Sequence, residues 1–178
     1  MIKQTIVNVV ATASLNQDID FQKLCQFKEI LYDSNSYGGR VAYLKTNQMQ
    51  GKVSIFVSGK LISVGTKSPN QAIKELLLTK QTLIEKAIVK EVELQPKIQN
   101  IVIIADFEKQ LNLEELSEKT RAIYEPEQFP GAILRLKEPF KTTILLFASG
   151  KAVITGLKSQ AEIEPTIQAL KALIDSNQ

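Results

Sequence analysis

The chain contains two copies of one sequence pattern, and this internal repeat constrains the fold more than any other feature. Residues 55–60 and 146–151 match best, and both segments end in Ser-Gly-Lys. Asn8 also matches Asn100, 92 positions later, whereas Phe56 matches Phe147 at 91 positions. A period this long is typical of a duplicated half-domain and not of a solenoid. We therefore predict two halves, residues 1–92 and 93–178, related by a pseudo-two-fold axis.

The change of spacing from 92 to 91 indicates one extra residue in the first copy. It falls between Tyr37 and Phe56. We expect it in the hairpin at residues 46–51, because hairpin loops tolerate insertions.

Composition excludes several functional classes. The 178 residues are 44% hydrophobic and 23% charged, which is typical of an ordinary globular chain. No segment has the pattern of a membrane span or a signal peptide, so we expect no membrane partner. The sequence has no histidine, the commonest general base, and its one cysteine, Cys25, is predicted to be an inert core thiol. We therefore expect no enzymatic activity, no catalytic residues, no metal and no cofactor.

Charge divides unevenly between the halves. The first half has 12 basic and 7 acidic residues, and the second has 10 and 12, so their net charges are +5 and −2. Different partners for the two halves would explain this asymmetry, and neutral drift on solvated faces is the alternative.

Helix starts are marked by residues with side-chain oxygen acceptors. Ser68, Asn112 and Ser159 each precede a helical pattern and are predicted to cap it. Pro165 lies past the first turn of the last helix and removes a backbone donor, so we expect an irregular start there.

The strand patterns predict a sheet with one uncovered face. Residues 144–147 and 152–154 are apolar at successive positions, which is typical of strands with an apolar residue on both faces. Each half also contains two helix patterns, and four helices can cover only one face of a sheet of about ten strands. The other face is then an exposed apolar surface that binds a partner.

Counting with a period of two assigns residues to this uncovered face. The set is apolar apart from two amides and a hydroxyl, with phenylalanines at the strand ends: Asn8, Val10, Asn100, Val102, Ile62, Val64, Val153, Thr155, Phe56 and Phe147. A broad apolar surface with basic flanks suits a distorted DNA minor groove better than a phosphate-lined groove or a concave small-molecule pocket.

Several ordered segments resemble the TATA-box-binding protein family, particularly its archaeal form. They are residues 98–102, 124–131, 147–151 and 155–158, together with Arg135. The resemblance covers nearly the whole chain. It implies an α+β fold, a pseudo-two-fold saddle in which a curved ten-stranded antiparallel sheet carries four helices on its convex face. The concave face would sit on the DNA.

The resemblance also implies roles for individual residues. The DNA-intercalating positions would be Tyr37, Phe56, Phe129 and Phe147. Minor-groove contacts would come from the uncovered face defined above and from Leu145. Positions that match or lie near phosphate contacts are Lys45, Lys60, Arg135, Lys137 and Lys151. Glu125 and Glu127 match the acidic stirrup that receives transcription factor B in the family.

The first half departs from the family pattern. Tyr37 replaces a wedge phenylalanine, Val64 replaces the threonine found at Thr155, and Ser54 replaces the apolar residue found at Leu145. Tyr43 is aligned with Arg135 at the spacing of 92. Each difference predicts a weaker DNA-binding face in the first half, and two glycines predict a mobile first stirrup.

The expected function is therefore that of a general transcription initiation factor. It would bind and bend A/T-rich, TATA-like double-stranded promoter DNA through the minor groove, recruit transcription factor B and join the RNA polymerase pre-initiation complex. The location would be cytoplasmic, at the nucleoid, in an archaeon, or nuclear in a eukaryote. Alternatives are a diverged paralogue acting mainly in protein interactions and, less favoured, an enzyme or ligand-binding domain. A homodimer in the absence of DNA is a further hypothesis.

Overall fold

The computed structural model describes residues 2–177, which form two compact units. The first unit is residues 8–99, and the second combines residues 2–7 with residues 100–177. The strands are β1 Lys3–Ser14, β2 Ile30–Tyr32, β3 Val41–Leu44, β4 Lys52–Phe56, β5 Lys60–Thr66, β6 Lys97–Asp106, β7 Gly131–Leu136, β8 Thr142–Phe147 and β9 Lys151–Leu157. The α-helices are α1 Phe21–Leu24, α2 Pro69–Glu85, α3 Leu113–Lys119 and α4 Ile163–Ser176, and short 3-10 turns cover Ser36–Gly39 and Gln160–Glu162.

Each unit contains an antiparallel run of strands in the same order. In the first unit, neighbouring strands follow the order β2, β3, β4, β5 and β1, and in the second unit the order is β7, β8, β9 and β6. The position equivalent to β2 is reduced to one bridge, in which Ile123 and Ile133 exchange backbone hydrogen bonds of 3.0 and 2.8 Å. The described residues therefore form nine strands and this bridge, where the sequence predicted ten strands.

The helices begin where the sequence places oxygen acceptors, with one exception. Ser68 accepts a hydrogen bond from the Gln71 backbone N–H (3.1 Å), and Asn112 accepts one from Glu115 (3.2 Å). Ser159 makes no such bond, so its predicted capping role is wrong. A 3-10 turn precedes α4 instead, which agrees with the irregular start predicted from Pro165.

Burial alternates along the strands, as the uncovered face requires. Ile144 and Leu146 of β8 are fully buried, whereas Leu145 and Phe147 between and beyond them are half-buried. The helices thus cover one face of each unit's strands and leave an apolar second face open to solvent. No described helix is long and apolar enough to span a membrane.

Strand pairing corrects the predicted position of the extra residue. The paired residues Leu31 and Tyr43 are 12 positions apart, whereas the equivalent pair, Ile123 and Ile133, is 10 positions apart. The first copy therefore has two extra residues before β3, in the segment between β2 and β3 that we call the stirrup. The corresponding segment of the second copy, between Ile123 and β7, is the second stirrup.

The hairpin after β3 differs in the opposite direction. Tyr43 pairs with Ser54, 11 positions later, and Ile133 pairs with Leu145, 12 positions later. The 46–51 hairpin is one residue shorter than its counterpart, so the insertion predicted there is wrong. The net difference of one residue is the result of two changes of opposite sign.

The same pairing corrects the equivalence of Tyr43 and Arg135. Because Tyr43 and Ile133 occupy the same place in their ladders, the counterpart of Arg135 is Lys45. Tyr43 therefore does not stand in the position of a lost arginine.

Candidate nucleic-acid interface

Each unit has an open strand face that contains the residues predicted to line it. All of them are half-buried and alternate with fully buried neighbours, as strand periodicity requires. The first unit contributes Asn8, Val10, Ile62 and Val64, with Phe56 at the end of β4, and the second contributes Asn100, Val102, Val153, Thr155 and Leu145, with Phe147 at the end of β8.

Further residues of the same faces were not predicted. In the first unit, half-buried Tyr43 lies on β3, and the Lys52 ammonium is 4.5 Å from the centre of its ring. In the second unit, Ile133 of β7 and Ile104 of β6 take part, the latter 38% exposed. Period-two counting on the short strands finds these residues once their pairing partners are known.

The Asn100 amide is held in one orientation. Its Oδ1 accepts a hydrogen bond from the Gly156 backbone N–H (2.7 Å), and its Nδ2 donates to the Thr155 hydroxyl (2.9 Å). Gly156 has a φ of +107°, a conformation that favours glycine. The amide nitrogen has two hydrogens, so one donor remains after the Thr155 bond.

The Asn8 amide is held by the equivalent backbone contact but has no hydroxyl partner. Its Oδ1 accepts from the Gly65 N–H (2.8 Å), and Gly65 also has a positive φ, +91°. Val64 stands where the second unit has Thr155 and offers no hydroxyl. Because the oxygen of each amide is fixed by a glycine N–H, each amide keeps donor capacity for a ligand on the open face.

Phe129 and Phe147 form a ring pair at one end of the second unit. Their centroids are 5.8 Å apart and their planes meet at 63°, an edge-to-face arrangement. Gly131 lies against both, because a Cβ there would come within 2.8 Å of one ring and 3.2 Å of the other. The rings are half-buried, so their outer edges are accessible.

The first unit does not repeat this pair. Tyr37 is 75% exposed and has a φ of +52°, and no ring contact joins it to Phe56 in the described part of the chain. A cavity of about 400 Å³ lies beside Phe56, with Arg40 and Val57 in its lining. The two additional stirrup residues carry Tyr37 away from the place that Phe129 occupies in the second unit.

The predicted phosphate contacts fall into two groups. Lys60, Lys151, Arg135 and Lys137 are exposed or half-buried at the surface, which suits them for contacts with a polyanion. The ammonium of Lys45 instead donates to three carbonyls of its own hairpin, those of Met49, Gln50 and Gly51, at 2.7, 2.8 and 2.6 Å. These bonds use all three of its donors.

Glu125 and Glu127 are exposed on the second stirrup. The Glu125 carbonyl accepts from the backbone N–H groups of Gln128 and Phe129, both at 2.9 Å. This turn connects the acidic residues directly to the ring pair, so one short segment carries both features.

Other chemistry has little support in the described residues. They contain no cluster of three or more His, Cys, Asp or Glu side chains that could hold a metal. Cys25 is half-buried, less than predicted, and desolvation raises the pKa of its thiol, which lowers the thiolate fraction.

Comparison with known proteins identifies the family. Residues 3–80 and 95–176 match the family described as transcription factor TFIID, or TATA-binding protein, TBP. The chain belongs to the TATA-binding protein family. The TATA-box-binding protein of Methanothermobacter thermautotrophicus is 39% identical over 173 residues, which cover 94% of this chain and 92% of that protein. The TATA-box-binding protein of Cenarchaeum symbiosum is 36% identical over 159 residues, with coverages of 89% and 86%.

A solved relative has the same fold. The structure of the Methanococcus jannaschii TBP superimposes with a TM-score of 0.86 at 30% identity, covering 98% of this chain and 99% of that one. The predicted family and fold class are thus confirmed. The chain is a transcription factor of the TATA-binding protein type, and this is a family of transcription factors and not of enzymes.

Proposed function

We propose that this protein is a general transcription initiation factor that binds TATA-like promoter DNA through the minor groove. The observation that carries the proposal is the pair of oriented amides, Asn8 and Asn100, each fixed by a glycine N–H within an open apolar strand face. The minor groove of A·T and T·A pairs presents only acceptors, whereas G·C adds the guanine amino group. A donor surrounded by apolar side chains therefore favours A/T-rich sequence.

We propose that the phenylalanines at the strand ends bend the DNA. Phe129 and Phe147 form a two-ring edge, and apolar wedges of this kind unstack a base step at a cost of a few kcal/mol. TATA-binding proteins are themselves a well-known example of proteins that kink DNA in this way, so that cost is a general value for the class. In the first unit Phe56 is the wedge, and Tyr37 would have to move to join it.

Surface cations and an acidic stirrup supply the remaining contacts. Lys60, Lys151, Arg135 and Lys137 would meet phosphates, and Glu125 with Glu127 would meet a basic surface of transcription factor B. Assembly with RNA polymerase follows from that recruitment. Because the relatives compared above are archaeal, we propose a nucleoid location in the archaeal cytoplasm.

Base substitution tests the groove directly. Fluorescence anisotropy would compare a TATA duplex with two others, in which the A·T pairs become inosine·cytosine or G·C. Inosine·cytosine has no amino group in the minor groove but resembles G·C in the major groove. Retained binding to the inosine duplex with loss on G·C supports the proposal, and equal loss on both would overturn it.

A second function is favoured by the first stirrup. Because Tyr37 and Phe56 are not paired, weak DNA binding with a main role in protein interaction is the alternative. The double charge reversal Glu125→Arg with Glu127→Arg separates the roles. Loss of the ternary complex with transcription factor B, with DNA binding unchanged, supports recruitment, whereas an unchanged ternary complex would contradict it.

A further inference from the structure

A groove in the second unit has an apolar floor and a basic rim. It lies between the end of α3, strand β7 and the last turn of α4, and its volume is about 680 Å³. Leu134, Leu136 and Leu173 line its floor, and Lys119, Arg121 and Arg135 lie along its edge. No acidic side chain is among its described lining residues. The size is within the range of about 300–1,000 Å³ that is typical of ligand pockets.

Two of the rim cations have no ion pair among the described residues. Lys119 pairs with Glu115 at 2.6 Å, but Arg121 and Arg135 are exposed and form no salt bridge in residues 2–177. Their guanidinium groups present donors that match carboxylates in a planar, two-point geometry.

The equivalent place in the first unit is filled by its own side chains. At the spacing of 92, Arg121 corresponds to Glu29, and at 91, Asn177 corresponds to Lys86. Glu29 and Lys86 form an ion pair of 2.5 Å, and the Lys86 ammonium lies 4.1 Å from the centre of the Phe27 ring. The first unit therefore satisfies its charges internally at this place.

The floor differs in the same sense. Leu136 corresponds to Thr46 by strand pairing, and Leu173 corresponds to Thr82 by the helix spacing of 91. Thr82 donates to the Leu78 carbonyl within its own helix (2.9 Å). Relative to the first unit, the second thus has two threonines replaced by leucines and a glutamate replaced by an arginine, which together give an apolar groove with an unpaired cationic rim.

We propose that this groove docks an acidic amphipathic helix of a partner protein. Apolar side chains at positions i, i+3 or i+4 and i+7 would enter the groove, and flanking Asp or Glu would pair with Arg121 and Arg135. Charge complementarity selects this occupant, because the rim would repel a basic segment and the floor offers a polar segment no hydrogen bonds. The apolar floor is separate from the open strand faces, so docking there does not depend on DNA binding.

The chain itself simplifies the experiment, since it contains no tryptophan. The probe is a synthetic acidic helical peptide with one Trp and two Leu on its apolar face. Its tryptophan emission then reports only the peptide. A saturable blue shift is expected, with a much weaker response from a peptide of the same composition in scrambled order.

Two variants locate the site and one serves as control. Arg121→Glu should weaken the peptide by about tenfold at low salt, because it places a like charge at the rim. Leu173→Asp should abolish the blue shift. Lys28→Glu makes the same charge change on an exposed residue of the first unit and should leave affinity unchanged.

Circular dichroism and TATA-duplex binding of each variant verify folding. Equal binding of the ordered and scrambled peptides would overturn the proposal, as would equal losses in Arg121→Glu and Lys28→Glu.

Discussion

Phe129 and Phe147 pack edge to face in the second unit, whereas Tyr37 and Phe56, which the repeat aligns with them, make no ring contact in the described residues. Strand pairing explains the difference, because the first stirrup has two extra residues before β3. One duplicated sequence has thus produced two different strand ends.

The ring pair predicts an energetic coupling that only the second unit has. Double-mutant cycles with Phe129→Ala and Phe147→Ala should give a coupling of about 0.5–1.5 kcal/mol in unfolding free energy, the range found for aromatic pairs. The matched cycle with Tyr37→Ala and Phe56→Ala should be additive. Urea unfolding measures both cycles, and similar coupling in the two would show that the first pair also forms.

The alternation of buried and open positions was predictable from sequence because it depends only on period two within one strand. Asn8, Val10, Ile62 and Val64 were placed correctly on this basis. The equivalence of Tyr43 and Arg135 was not, because an insertion and a deletion nearly cancel between Tyr37 and Phe56. Only hydrogen-bonded pairing separates two such changes.

The tenth strand and the partners of Lys45 were beyond sequence reasoning for a related reason. Ile123 has strand-forming character, but its neighbours make only one bridge. Lys45 is expected to be a free cation until the hairpin carbonyls around Gly51 are placed near it. Both outcomes depend on loop geometry that residue type alone does not fix.

The contacts of Lys45 predict that it behaves differently from Lys151. Lys151→Ala should reduce the slope of log affinity against log salt by about one, because a phosphate contact is lost. Lys45→Ala should leave that slope unchanged and destabilise the fold, since three hairpin carbonyls lose a charged donor. Anisotropy titrations across a salt series, combined with thermal unfolding, distinguish the two. A reduced slope for Lys45→Ala would show that it leaves the hairpin to bind DNA.

A buried carboxylate should stabilise the same hairpin from the helix side. Glu75 of α2 is 1% exposed, and its Oε1 accepts from the Gln50 and Gly51 backbone N–H groups at 2.7 and 3.1 Å. Glu75→Ala should cost about 1–3 kcal/mol per orphaned group, whereas Glu75→Gln keeps an acceptor oxygen and should cost less. Urea unfolding of both variants measures the difference. Equal losses would mean that the backbone bonds contribute little.

Acid stability should depend on Asp175. Hydrogen bonds from Lys109 and Lys171 lower the pKa of this carboxyl from 3.8 to about 2. A depressed carboxylate pKa stabilises the folded state above the unfolded value and loses that effect as pH falls through the folded value. The stability gap between wild type and Asp175→Asn should therefore shrink between about pH 4 and pH 2. Urea midpoints at several pH values measure it, and a gap independent of pH would contradict the assignment.

DNA bending tests the central claim most directly. Energy transfer between dyes at the two ends of a TATA duplex should rise when the protein binds, and Phe147→Ala should reduce that rise more than Tyr37→Ala does. The G·C-substituted duplex should show no rise at the same protein concentration. Tight binding to the TATA duplex with unchanged energy transfer, or equal transfer on both duplexes, would contradict the proposed function.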